Sequence, residues 1–275
     1  MRNLCKVNFK TMTQPDRPKV QWWKVLNVML TFSLITLLAV VGGFVLWASN
    51  ALGPLPEVAN VLVSTQSVHY QDDGFIVYEP LDTPPTTGLI IYPGGKVNPL
   101  SYAVTARAIA TQGYLVAIVR PPLNMALFDS NAAQAVINAY PNITQWAVAG
   151  HSLGGVAAVK FADSHPDLVG GIALWASFPA EGDHLDDQDL SAVLITASND
   201  RLFAEDEIIY EKLLAKIKEV MPADSVYVDI AGGNHAGFGW YGEQPRDGKA
   251  SISLQEQTDQ VVAATLAMLK KMPTK

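Results

Sequence analysis

The 275-residue sequence contains a single cysteine, Cys5, which excludes an intrachain disulfide. Its place ahead of a long apolar run suits neither a structural pair nor a nucleophile. No histidines and cysteines cluster at metal-ligand spacing, and no phosphate-binding glycine loop precedes a ribose-binding acid, so neither a metal nor an organic cofactor is implied. Charge is also scarce. Charged residues make up 16% of the chain against 49% hydrophobic ones, and the formal net charge is −7. The basic residues beyond position 48 are scattered, which excludes the clustered basic surface that a nucleic-acid partner needs. There is no internal repeat and no low-complexity segment.

What is present begins with an uncharged apolar run over residues 25–47, and about 20 such residues at helical rise cross a bilayer core. It exceeds the apolar core of a cleaved signal peptide, and no A-x-A site follows it. Trp22, Trp23 and Trp47 bracket it, where amphipathic rings favour the two water interfaces. Arg2, Lys6, Lys10, Arg17, Lys19 and Lys24 precede it, and the next basic residue is Lys96. The charge bias predicts a single-pass protein of the cell membrane, with a basic cytoplasmic tail over 1–24, a transmembrane helix over 25–48 in the lipid bilayer, and the bulk of the chain extracytoplasmic. Residues 49–60, with Gly53-Pro54-Leu55-Pro56, read as a short stiff linker. The remainder, 61–275, is enough for one well-buried domain.

In that remainder, short β-branched runs alternate with helical patterns, the signature of an α/β domain with a mostly parallel sheet covered on both faces. Strands are expected over 61–70 and 75–78, joined near Asp72-Asp73-Gly74, and over 88–92, 114–119, 146–149, 169–176, 192–196 and 225–230. Helices are expected over 100–111, 130–140, 153–165, 204–220 and 251–271.

Between the strand at 146–149 and the helix at 153–165 lies Gly150-His151-Ser152-Leu153-Gly154-Gly155. A serine hydroxyl is a poor nucleophile in water and works when a sharp strand-to-helix turn holds it out to a base. Ser152 is the candidate nucleophile. Such an elbow predicts an acid and then a histidine on loops after later strands. Asp200 follows the strand at 192–196, with Glu205 and Asp206 as neighbouring substitutes. His235 follows the last strand among small residues. His69, His151, His165 and His184 all precede the acid. The backbone N–H of Leu153, at the start of its helix, can face a developing oxyanion. The glycine-rich turn Tyr92-Pro93-Gly94-Gly95-Lys96 offers the second donor, Gly95 first and Lys96 second. Trp175, Phe178 and Phe238, with Trp240 and Tyr241 nearby, are candidate walls of an apolar substrate pocket.

These residues resemble the α/β-hydrolase superfamily over residues 61–271, and are similar to its compact members, the dienelactone-hydrolase-like and small esterase-like hydrolases. The resemblance implies an eight-stranded sheet and a Ser152–Asp200–His235 triad. Dienelactone hydrolases carry cysteine at the elbow, so Ser152 favours ester or related acyl hydrolysis. Pro93 stands where many esterases and lipases have His-Gly, and the segment after the strand at 169–176 is too short for a cap domain. The expected activity is hydrolysis of a small-molecule acyl substrate through an acyl-serine intermediate. The alternatives are a peptidase, thioesterase or lipase using the same triad, or a tethered binding domain that has lost turnover.

Overall fold

The computed structural model describes residues 21–273; Cys5 and the basic residues of the tail from Arg2 to Lys19 lie outside them. The chain forms two compact units, one ending at Val45 and one beginning at Leu46. The first holds most of helix α1 (Trp22–Ser49), which is long and apolar enough to cross a membrane.

The second unit is an eight-stranded sheet. Its strands are β1 (Val68–Asp73), β2 (Phe75–Pro80), β3 (Thr87–Tyr92), β4 (Leu115–Ile118), β5 (Gln145–His151), β6 (Val169–Trp175), β7 (Ser191–Ala197) and β8 (Val226–Ile230). They lie in the order β1-β2-β4-β3-β5-β6-β7-β8. β1 and β2 form the expected antiparallel hairpin, turning at Gly74 with φ +75°, and β2 also runs antiparallel to β4. From β4 to β8 all pairings are parallel. This is the mostly parallel sheet expected from the alternating pattern, with the eight strands that the resemblance to α/β-hydrolases implies.

β3 to β7 are buried almost throughout, which accounts for their near-continuous Val, Ile, Leu and Ala. Their cover includes α2 (Ala103–Ala110) and α6 (Leu254–Leu269), packed on each other, and α4 (Leu153–Ser164) over β3, β5 and β6. α3 (Ala133–Ala139) and α5 (Glu207–Val220) complete the helices.

Helix boundaries differ from the sequence pattern where side chains cap them. Asp206 accepts the N–H of Ile209, so α5 starts at Glu207 rather than near 204. Ser253 and Glu256 close a reciprocal capping box, so α6 starts at Leu254 rather than 251. Asn98 caps a 3-10 turn, Pro99–Tyr102, ahead of α2.

After β3 the chain crosses to β4 on one side, and after β5 it crosses to β6 on the other. The carboxyl ends of β3 and β5 thus flank a topological switch point, where open α/β sheets leave a crevice. Both glycine-rich segments singled out in the sequence sit there.

Candidate active site

Ser152 joins β5 directly to α4 with φ 52° and ψ −124°, a conformation that costs a non-glycine residue about 1–3 kcal/mol. The surroundings hold it there. Its N–H donates to the Trp175 carbonyl at 2.9 Å, and its own carbonyl accepts from the Gly155 N–H at 2.9 Å and the Ser177 hydroxyl at 2.7 Å. The motif glycines are required by close approach. A Cβ on Gly150 would collide with the Gly154 carbonyl, and one on Gly154 with the carbonyl oxygens of Tyr92 and Pro93.

Asp200 sits just past β7, buried, with every carboxylate contact accounted for. Oδ1 accepts the N–H groups of Leu202 and Phe203, both at 2.8 Å. Oδ2 meets Nδ1 of His235 at 2.7 Å. A carboxylate held this way fixes the imidazole with its proton on Nδ1 and its Nε2 lone pair free to act as a base. The backbone ties the two loops together, since the Asn199 N–H donates to the Gly233 carbonyl at 2.9 Å.

The His235 loop is held by residues distant in sequence. Buried Gln257 on α6 accepts the Asn234 N–H at 3.0 Å and donates to the Asn234 carbonyl at 2.8 Å. Asp247 accepts the Ala236 N–H at 2.8 Å, and the Asn234 side chain donates to the Gly248 carbonyl at 2.7 Å. A separate cavity of about 430 Å³, lined by Asn234, Asp247 and Gln257 among others, contains neither Ser152 nor His235.

Ser152 and His235 instead line one cavity of about 340 Å³, with Leu153, Val156, Ala176, Ser177, Phe178, Leu202, Phe203 and Gln244. Of the three proposed pocket aromatics only Phe178 lies on it. Trp175 is fully buried, its indole N–H donating to Thr265 on α6 at 3.2 Å. Phe238 is also buried, stacked on the His151 ring at 5.6 Å. Trp240 and Tyr241 do not line the cavity either. The apolar wall comes instead from Val156, Leu202 and Phe203, on α4 and the Asp200 loop.

The turn after β3 needs one correction. Lys96, with φ 58°, donates its N–H to the Asn124 carbonyl at 2.8 Å and so cannot serve an oxyanion. The Gly94 N–H is likewise committed, to the Tyr102 hydroxyl at 2.9 Å. Gly95 lies against Leu153, where an added Cβ would come within 3.0 Å of Leu153 Cδ2. Neither the Gly95 nor the Leu153 N–H is engaged by another described residue.

His151 and Tyr102 are the residues that sequence reasoning missed. The Tyr102 hydroxyl and His151 Nδ1 share a hydrogen bond at 2.8 Å. The phenol oxygen already accepts from Gly94 and burial raises its pKa, so we assign the hydroxyl as donor. That leaves the imidazole proton on Nε2, which is buried. Burial first, and then the nearby His235, hold the pKa of His151 well below its ordinary 6.5; the backbone of His235 pulls it weakly the other way. The two imidazole rings lie 4.5 Å apart. One neutral histidine therefore touches the turn after β3, the elbow and the His235 ring together.

The alpha/beta hydrolase family matches residues 88–259, more than half of the chain. The chain belongs to this family. Among solved structures, this hydrolase is similar to an esterase from Pyrobaculum calidifontis, with TM-score 0.53 and 17% identity over 84% of this chain and 93% of that one. A CIB-like hydrolase from Thermoplasma acidophilum gives TM-score 0.51 and 15% identity over 74% of this chain and 98% of that one. Est1E from Butyrivibrio proteoclasticus gives 0.50 and 14% over 75% and 100%. At these identities the likeness is one of fold. No curated protein matches the chain.

Proposed function

We propose that this hydrolase is a membrane-anchored serine esterase that cleaves small carboxylic esters through an acyl-serine intermediate. The observation that carries the reading is the 2.7 Å contact of His235 Nδ1 with a fully bonded Asp200, on a histidine that shares an apolar cavity with Ser152. Ser152 Oγ attacks the ester carbonyl while His235 Nε2 takes its proton. The N–H groups of Leu153 and Gly95 receive the oxyanion, helped by the positive end of α4. His235 then protonates the departing alcohol, and water, deprotonated by the same histidine, releases the acid. Phe178, Phe203 and Leu202 receive the acyl chain.

α1 is the anchor in this reading, with the domain extracytoplasmic. The chemistry is tested with p-nitrophenyl esters of increasing chain length on the full-length protein. Turnover lost in both Ser152→Ala and His235→Ala supports it, whereas turnover retained in Ser152→Ala removes Ser152 from the reaction. The topology is tested by adding protease to intact cells. Digestion of the domain is expected, and its protection reverses the orientation.

A further inference from the structure

The first residues of the hydrolase unit pack beside the loops that surround Ser152. Residues 46–55 lie in the hydrolase unit, and the stretch expected as a linker is bonded to it instead. Ala48 is completely buried, and the Trp47 ring carries Lys96 Nζ 4.1 Å from its centre. Leu52 forms a parallel bridge with Val97: its N–H donates to the Lys96 carbonyl at 2.7 Å, and its carbonyl accepts the Asn98 N–H at 2.9 Å. The Leu55 N–H donates to the carbonyl of Trp240, in the segment that follows His235, at 2.7 Å. Both loops around Ser152 are thus tied to the first residues after the apolar helix. Gly95, next to Lys96, packs on Leu153, the residue after the nucleophile.

The chemistry around this junction is interfacial. Tryptophan favours the bilayer–water boundary, and a lysine keeps its ammonium in the headgroups while its stem lies along apolar surface. The loop after β4, whose Asn124 carbonyl accepts from the Lys96 amide, exposes Leu127 and Phe128, the latter to 55%. Ile208 and Ile209, early in α5 beyond the carboxyl end of β7, are exposed as well. Exposed apolar residues on these loops suit a surface that meets other apolar groups better than one that meets only dissolved substrate. The segment between β6 and β7 contains no helix that would close the site off.

From this arrangement we propose that the substrates are esters of small carboxylic acids with lipophilic alcohols, resident in the bilayer and drawn from the leaflet where α1 ends. The inference rests on the reading of Ser152 as nucleophile and α1 as membrane anchor. The ester C–O bond breaks as the Ser152 Oγ–acyl bond forms, and the lipophilic alcohol, protonated by His235, stays in the leaflet.

The test uses the full chain in phosphatidylcholine vesicles with two esters of the same acid, water-soluble methyl butyrate and bilayer-resident hexadecyl butyrate. At equal total concentration hexadecyl butyrate should turn over about tenfold faster, because anchor and substrate share one surface. An insert of about ten Gly/Ser residues between Ser49 and Asn50 adds a reach of about 17 Å while sparing the Leu52 bridge. It should lower hexadecyl butyrate turnover about tenfold and leave methyl butyrate unchanged. Methyl butyrate cleaved as fast as hexadecyl butyrate, or an insert without effect on the latter, overturns the inference and leaves the serine esterase intact. Cleavage of neither ester, with no labelling of Ser152 by a fluorophosphonate, overturns both.

Discussion

The elbow around Ser152 and the loop carrying His235 are positioned by different physics. At the elbow the determinant is steric: Gly150 and Gly154 let backbone pass backbone at distances no side chain permits. At the His235 loop it is polar and remote, through Gln257 on α6, Asp247 and the Asn199–Gly233 bond. A site of the first kind is written into six consecutive residues. One of the second kind is written across the chain and shows no local motif.

The largest effect should come from removing what the elbow presents. Ser152→Ala should lower ester turnover on the order of 10⁶-fold with the melting temperature unchanged, because the hydroxyl supplies chemistry and little packing. A fall in melting temperature alongside it would mean that Ser152 also holds the turn. Breaking the elbow sterically comes next. Gly154→Ala forces a Cβ against two carbonyl oxygens and should cost about 3 kcal/mol or more. In a domain of this size that lowers the melting temperature by roughly 10 °C in a thermal scan.

The polar loop should yield differently. Gln257→Leu keeps volume but frees Asn234, and it should cut kcat by about 10²-fold through a small displacement of His235, with KM nearly constant. A raised KM with constant kcat would show that the loop binds substrate rather than placing the base.

The smallest effect belongs to the histidine shared by both regions. Burial holds His151 below its ordinary 6.5, so below that pH the unfolded chain binds a proton that the folded protein refuses. Stability should therefore fall as pH drops from 6.5 toward the depressed folded value, with no contribution above 6.5. Melting curves from pH 7.5 to 5.5 should slope less in His151→Phe than in the wild type; equal slopes would remove His151 from the account.

The same contrast explains what was legible in the sequence. The eight strands, the hairpin and the elbow followed from alternation and from glycines at fixed spacing, because both are local constraints. The Lys96 N–H is taken by the Asn124 carbonyl, across a loop boundary that no pattern marks. Trp175 and Phe238 were indistinguishable from Phe178 as aromatics near strand ends, yet one is sealed beneath α6 and another stacks on His151. The role of Tyr102 was invisible because its partner is 49 residues away. Residues 49–60 read as a linker from their prolines, and the bridge from Leu52 to Val97 lies outside any local signal.

The most direct test of the central claim is fluorophosphonate labelling of the full-length protein in vesicles, comparing wild type with Ser152→Ala and His235→Ala. The reagent phosphonylates a serine whose proton is being removed. Rapid labelling of the wild type at Ser152, absent in Ser152→Ala and slowed by orders of magnitude in His235→Ala, is the predicted result. A folded wild type that does not label, or labelling indifferent to His235, would contradict it.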